Sequence, residues 1–162
     1  MQRDPTLRIQ ETKWQALLGE LHRRTRGVHE SGAFLLGYVA DGSRSVEHII
    51  YYDDLDPQAY RTGVVVMHGA SFGSLWEFCR SRELSVVADI HVHPKGAWQS
   101  IADRDNPMIA QRGHLALIVP YFAHPPVRFE TLGFFEYHGS HRWRALGGRH
   151  IARHLHIVNA EA

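Results

Sequence analysis

Leu84-Ser-Val-Val-Ala-Asp89-Ile-His91-Val-His93-Pro94, running on through Lys-Gly-Ala-Trp-Gln to Ser100-Ile-Ala-Asp103, holds a strand and a set of metal-binding side chains together. The apolar run before His91 predicts a buried central strand over Leu84 to His93. Side chains alternate along a strand, so Asp89, His91 and His93 share one face. Two imidazoles at that spacing reach one ion, and Asp103 adds a carboxylate. Two histidines and one carboxylate suit zinc and leave a fourth position open to water, as in catalytic rather than structural sites. A plainer reading is two polar residues where a strand exits into a loop, and 13 histidines in the chain make chance pairs common. Ser100-x-x-Asp103 also reads as a capping box that opens a helix. The two readings are compatible, because a capped first turn fixes the direction of Asp103. Asp105 is an alternative third ligand.

Outward from this stretch, the pattern predicts an α/β chain. Trp14, Leu17, Leu18 and Leu21 are spaced for an amphipathic helix over Glu11 to Arg24. Gly32 to Ala40 reads as a buried strand, Asp41-Gly42 as a turn, and Ser45 to Tyr52 as the hairpin partner. Asp53 to Arg61 reads as a loop, and Gly63 to Met67, rich in valine, as a strand. Phe72, Leu75, Trp76 and Cys79 give Ser71 to Arg82 one apolar helical face. Asn106-Pro107 is a second cap signal, and Ala110 to Gly113 reads as the end of another helix. Strands are predicted over His114 to Val119, Arg128 to Tyr137 and His141 to Leu146. The tail from Arg149 is ambiguous. The order, a leading helix and then βββ-α-β-α-βββ, implies a single α/β domain over residues 1–162 with a mixed sheet.

Composition narrows the function. The chain has 162 residues and a formal net charge of +1, so no broad basic surface for nucleic acid is expected. Cys79 is the one cysteine, which excludes an intrachain disulfide and any multi-cysteine zinc site. It reads as a small buried residue on a helix. The polar start, Met1 to Gln10, lacks a signal-peptide core, and Gly32 to Ala40 is too short to span a bilayer. These features point to a soluble, cytoplasmic protein without a membrane partner. One cysteine also rules out the Pro-Cys-x-x-Cys of zinc deaminases. Ala33 breaks any HExxH reading of His29-Glu30.

Hydrolysis at a metal-activated water needs a proton acceptor. Glu30 is the candidate, since it lies where a polar run meets the strand Gly32 to Ala40; the alternative is an ordinary surface glutamate. Asp89 could orient a ligand histidine from behind, act as a ligand itself, or be a pocket carboxylate. Trp98 could wall the cleft or pack within its own loop. His29, His68 and His114 could lie near the site, though no spacing requires it.

Glu30 with Ser31-Gly-Ala-Phe-Leu-Leu-Gly37, then His91-Val-His93-Pro94, then Ser100-Ile-Ala-Asp103 resembles the JAMM motif of the JAB/MPN metalloproteases. The resemblance runs from Glu30 to about Ala123. Its continuation, Asn106-Pro-Met-Ile-Ala110 to Gly113-His-Leu-Ala-Leu-Ile-Val-Pro120, is similar to small bacterial members that accompany ubiquitin-like conjugation systems. The resemblance implies a cytidine-deaminase-like α/β fold, a curved mixed sheet flanked by helices, with one Zn2+ per chain. It implies a peptidase or isopeptidase that cleaves after the C-terminus of a ubiquitin-like protein, in precursor processing or deconjugation. Adenylating and conjugating enzymes of the same system are then the expected further partners. Carried over to this chain, His91, His93 and Asp103 bind the metal, Glu30 deprotonates the water, and Ser100 donates to the oxyanion. The loop from Pro94 to Gln99 is one residue shorter than the family's usual length, which bears on where Ser100 sits. Some JAB/MPN proteins are scaffolds without activity. That alternative, a non-catalytic module binding a ubiquitin-like partner, is opposed by the presence of all five motif residues.

Overall fold

Trp14, Leu17, Leu18, Leu21 and Thr25 form the buried face of the first helix, and that face sets the chain against one side of a sheet. The computed structural model describes residues 3–160. The elements are β1 (Thr6–Gln10), α1 (Glu11–Thr25), β2 (Gly32–Ala40), β3 (Ser43–Tyr51), α2 (Tyr52–Leu55), α3 (Gly69–Arg82), β4 (Ser85–Val92), α4 (Ile101–Asp105), β5 (Leu115–Val119), β6 (Gly133–Tyr137), β7 (Trp143–Ala145) and β8 (Leu155–Val158). Three short 3-10 segments, Tyr121–Ala123, Phe129–Thr131 and Gly148–Arg153, link the later strands. The strands make one strongly curled mixed sheet in the order β7-β6-β5-β4-β2-β3-β1-β8. The architecture is a single α/β domain.

The strand pattern explains both faces. Along β2, Ala33 and Leu35 join the core under α1, while Phe34 and Leu36 join the core under α3 with Tyr52, Leu75 and Cys79. In β4, Ile90 and Val92 point into the α1 core, so Asp89 and His91 face the α3 side. β2 and β4 are antiparallel with Gly32 opposite His91; β4 and β5 are parallel with His91 opposite Ile118. The start of β2 is thereby set beside the end of β4. A Cβ on Gly32 would come within 2.4 Å of the Tyr52 ring and 2.7 Å of the Ile90 carbonyl oxygen, so the crossing at this point requires glycine.

Several expectations are corrected. Gly63 to Met67 is not a strand: it opens on a bend at Gly63 and Val64 and packs Val65 and Met67 against the core on the α3 side, outside the ladder. Its valine content suits a strand, but every position beside the site is already taken by β2, β4 and β5. The helix expected to end at Gly113 is absent. α4 stops at Asp105, Asn106 leaves helical geometry, and residues 106–114 are turns and bends. Arg128 to Tyr137 is a 3-10 turn before a strand that starts only at Gly133. The loop from Asp53 opens on the one-turn helix α2. Trp76, placed on the apolar face of α3, is 41% exposed. β1 was not foreseen, although Leu7 and Ile9 alternate with exposed Arg8 and Gln10; β8 lies in the ambiguous tail and pairs with β1. Among the described residues, no helix is long and apolar enough to cross a membrane.

Candidate metal centre

β4 delivers His91 to a cleft of about 490 Å³, and His93 follows directly after it. His93 lies just past the strand and stays in register because its N–H donates to the Val119 carbonyl at 2.9 Å. Its own carbonyl accepts from the Phe122 N–H at 2.8 Å, and the Lys95 carbonyl accepts from the Tyr121 N–H, also at 2.8 Å. Tyr121, Phe122 and Ala123 hold φ of 55°, 53° and 55°, a left-handed turn of three residues with side chains. Each such residue costs roughly 1–2 kcal/mol, so the surrounding structure must hold the turn in place. One contact that does so is His22 Nδ1, 2.8 Å from the Phe122 carbonyl.

Asp103 arrives from the other side of the cleft. Ser100 caps α4: its Oγ accepts from the Asp103 N–H at 3.1 Å, and Asp103 Oδ2 accepts from the Ser100 N–H at 2.8 Å. The capping box and the ligand geometry coexist, since Asp103 also faces the histidines. The Ser100 hydroxyl spends a lone pair on the cap and keeps its proton to donate. Asp105 is exposed and outside the group.

The three side chains converge. His91 Nε2 and His93 Nε2 are 2.9 Å apart, His91 Nε2 is 3.4 Å from Asp103 Oδ1, and His93 Nε2 is 3.2 Å from Asp103 Oδ2. A tetrahedral zinc with bonds of about 2.0–2.1 Å spaces its ligand atoms about 3.3 Å apart. The donor set therefore matches zinc in type and spacing, and His91, His93 and Asp103 form the one metal-competent group of its kind among the described residues. Burial opposes the charged form of His91, but Asp103 outweighs it and holds the imidazole's pKa above the ordinary value. Burial likewise opposes ionisation of Asp103, yet the hydrogen bonds from His91 and His93 keep its pKa well below the usual carboxylate range. The three side chains together could hold a metal ion.

Glu30 sits beside this group, with Oε1 3.8 Å from His93 Nε2. Its Oε2 accepts from the Val65 N–H at 3.3 Å, and its own N–H donates to the Gly63 carbonyl at 2.9 Å. The segment misread as a strand is therefore what holds Glu30. Behind it, the Ser31 hydroxyl donates to the Leu21 carbonyl at 2.7 Å, tying β2 to α1. The Tyr60 hydroxyl meets Gly32 N and O at 3.1 Å and Asp53 Oδ1 at 3.0 Å. Asp53 in turn binds Arg24 at 2.7 Å.

Asp89 does not orient a ligand histidine. Its Oδ1 is 2.5 Å from His114 Nε2 and its Oδ2 accepts from the Tyr52 hydroxyl at 3.1 Å. Two residues along a strand is roughly 6.5–7 Å, which puts Asp89 below His91 rather than against its ring. Tyr52, wholly buried beside that carboxylate, has its pKa pushed well above the usual phenol value. Trp98 does not wall the cleft; it is 64% exposed and lies over Gly96. Trp143 lines the cleft instead, along with Val64 to Met67 and Asn106 to Met108. His29 stacks on Tyr60, with ring centroids 5.2 Å apart, and His68 pairs with Asp56 at 2.6 Å. Sequence reasoning missed Val65, Tyr52 and Trp143; each reaches the cleft through a long-range contact that no local spacing encodes. His114 was named without a role, and the parallel pairing of β4 with β5 gives it one.

No family model matches the chain. The solution structure of protein DSY2949 from Desulfitobacterium hafniense is similar, with a TM-score of 0.69 over 96% of this chain and 96% of that one, at 15% sequence identity. At that identity the likeness shows a shared fold and carries no chemistry across.

Proposed function

We propose that this chain is a zinc-dependent peptidase or isopeptidase of the JAB/MPN kind, built on a cytidine-deaminase-like fold and working in the cytoplasm. Its substrate is a ubiquitin-like protein, cleaved after its C-terminus as a precursor or as a conjugate, alongside adenylating and conjugating enzymes. The observation that carries the reading is the convergence of His91, His93 and Asp103 at tetrahedral spacing, with the Glu30 carboxylate 3.8 Å from His93 Nε2. His91, His93 and Asp103 would hold the zinc, which when bound would supply Lewis acidity and lower the pKa of water toward neutral.

The chain's own residues supply the rest. Glu30 accepts the proton of the attacking water and returns it to the leaving nitrogen. The Val65 N–H fixes that carboxylate at one oxygen and leaves the other facing the histidines. Ser100 donates its hydroxyl proton to the carbonyl oxygen as negative charge develops there. The capping box keeps Asp103 aimed, so ligand and hydroxyl move as one unit.

The test is hydrolysis of a ubiquitin-like fusion by the zinc-loaded protein and by Glu30→Gln. The variant keeps its fold and its zinc and loses roughly 10²–10⁴-fold in turnover, the usual contribution of a positioned base. Wild-type turnover in the variant removes Glu30 from the chemistry. A wild type that binds the fusion and cleaves nothing points to the scaffold instead.

A further inference from the structure

Asp89 lines the same cleft and is nearly buried. Its side chain is 4% exposed, against 8% for His93, 12% for His91, 14% for Glu30 and 21% for Asp103. The cleft that it lines also has apolar walls, among them Met67, Phe72, Met108, Ala116 and Ile118. His114 and Tyr52 occupy one acceptor site on each of its oxygens, and a carboxylate has about four. Among the described residues, no lysine or arginine lines the cleft, although the chain has 18. Its partners there are an imidazole and a phenol, and neither is a permanent cation.

We infer that this recess is a specificity subsite that takes a cationic side chain, lysine or arginine, from a residue next to the scissile bond. The inference rests on the hydrolase reading for the identity of its occupant. The aliphatic stem of such a side chain packs on the apolar walls, and its charged head reaches Asp89. Asp89 is about 6.5–7 Å along the strand from His91, a distance that four methylenes and a head group cover. His114 and Tyr52 act as positioning residues that hold the carboxylate aimed at the cavity. An acidic side chain is rejected by Asp89, and an uncharged one leaves Asp89 without its third contact.

Peptide substrates that differ in one residue beside the scissile bond, lysine, norleucine or glutamate, test this on the zinc-loaded protein. On one side of the bond, lysine should exceed norleucine in kcat/KM by roughly ten- to a hundredfold, with glutamate below both. Asp89→Asn should bring lysine and norleucine within about threefold of each other while bound zinc is unchanged. Equal rates for lysine and norleucine on both sides overturn the inference, and the wild type alone decides that point. If no peptide is cleaved, the hydrolase reading fails separately, and the recess is tested by titrating protonated n-butylamine and n-butanol in NMR. Tighter binding of the amine, by about tenfold or more, with shifts at His114 that vanish in Asp89→Asn, supports the subsite. Equal or absent binding overturns it.

Discussion

Gly133→Ala is a small change far from the ligands in sequence, yet it should disturb the centre. Gly133 opens β6 directly beneath the loop that joins His93 to Ser100. A Cβ at 133 would lie 2.2 Å from the Ala97 carbonyl oxygen and 2.8 Å from Phe135 Cε2. An ordinary C···O contact is about 3.3 Å, so the Ala97 backbone must retreat by about 1 Å. Ala97 is three residues before Ser100, in a loop anchored at its start by the Tyr121 and Phe122 amides. The displacement therefore falls toward Ser100 and Asp103. Overpacking of this kind costs about 1–3 kcal/mol of stability, and a misplacement of about 1 Å at a reacting group can cost roughly 10²-fold in rate. Urea unfolding and turnover of the ubiquitin-like fusion read the two effects in one preparation. A Gly133→Ala protein with wild-type stability and wild-type turnover would refute the claim that this contact sets the loop.

Ser100→Ala should keep its zinc and lose roughly 10²–10³-fold in turnover, with a further loss of about 1 kcal/mol in stability from the missing cap; unchanged turnover would leave Ser100 a cap alone. Arg24 binds Glu20, Asp53 and Asp54 and lies over the Tyr51 ring at 4.1 Å, so Arg24→Met should lower stability by about 1–3 kcal/mol in chemical denaturation. Hydrogen bonding from Arg23 is the largest cause that lowers the Glu20 pKa, to about 2, with Arg24 adding to it against burial. The folded-state value lies below the ordinary carboxylate value. Its stabilisation is therefore full above about pH 4.5 and is lost as pH falls toward 2. Arg23→Met should flatten that acid limb of the stability curve more than Arg24→Met does, and a limb of unchanged slope in Arg23→Met would contradict the assignment.

The centre was legible because its residues lie on regular elements or within two residues of their ends. Histidines two apart on a strand must share a face, and Ser100-x-x-Asp103 is a cap whose geometry is local. β2, α1 and α3 were likewise readable from their periodicity. What failed depended on competition between segments. Val64 to Val66 has strand chemistry, but the sheet beside the site was complete, so the segment became the support of Glu30. Asn106-Pro107 has the chemistry of a helix start, yet the chain turns there and lends Pro107 and Met108 to the cleft. The role of Asp89 depended on His114, 25 residues further on, and on Tyr52 from the far side of β2. Only the order of strands brings those three together.

Zinc content tests the central claim most directly. Protein purified without added metal, then loaded with zinc and freed of excess, should hold about one zinc per chain by elemental analysis. The double variant His91→Ala, His93→Ala should retain almost none, and Asp103→Ala should bind far more weakly while staying folded by circular dichroism. Full zinc occupancy in the double variant would contradict the account, because the metal would then lie somewhere other than between His91, His93 and Asp103.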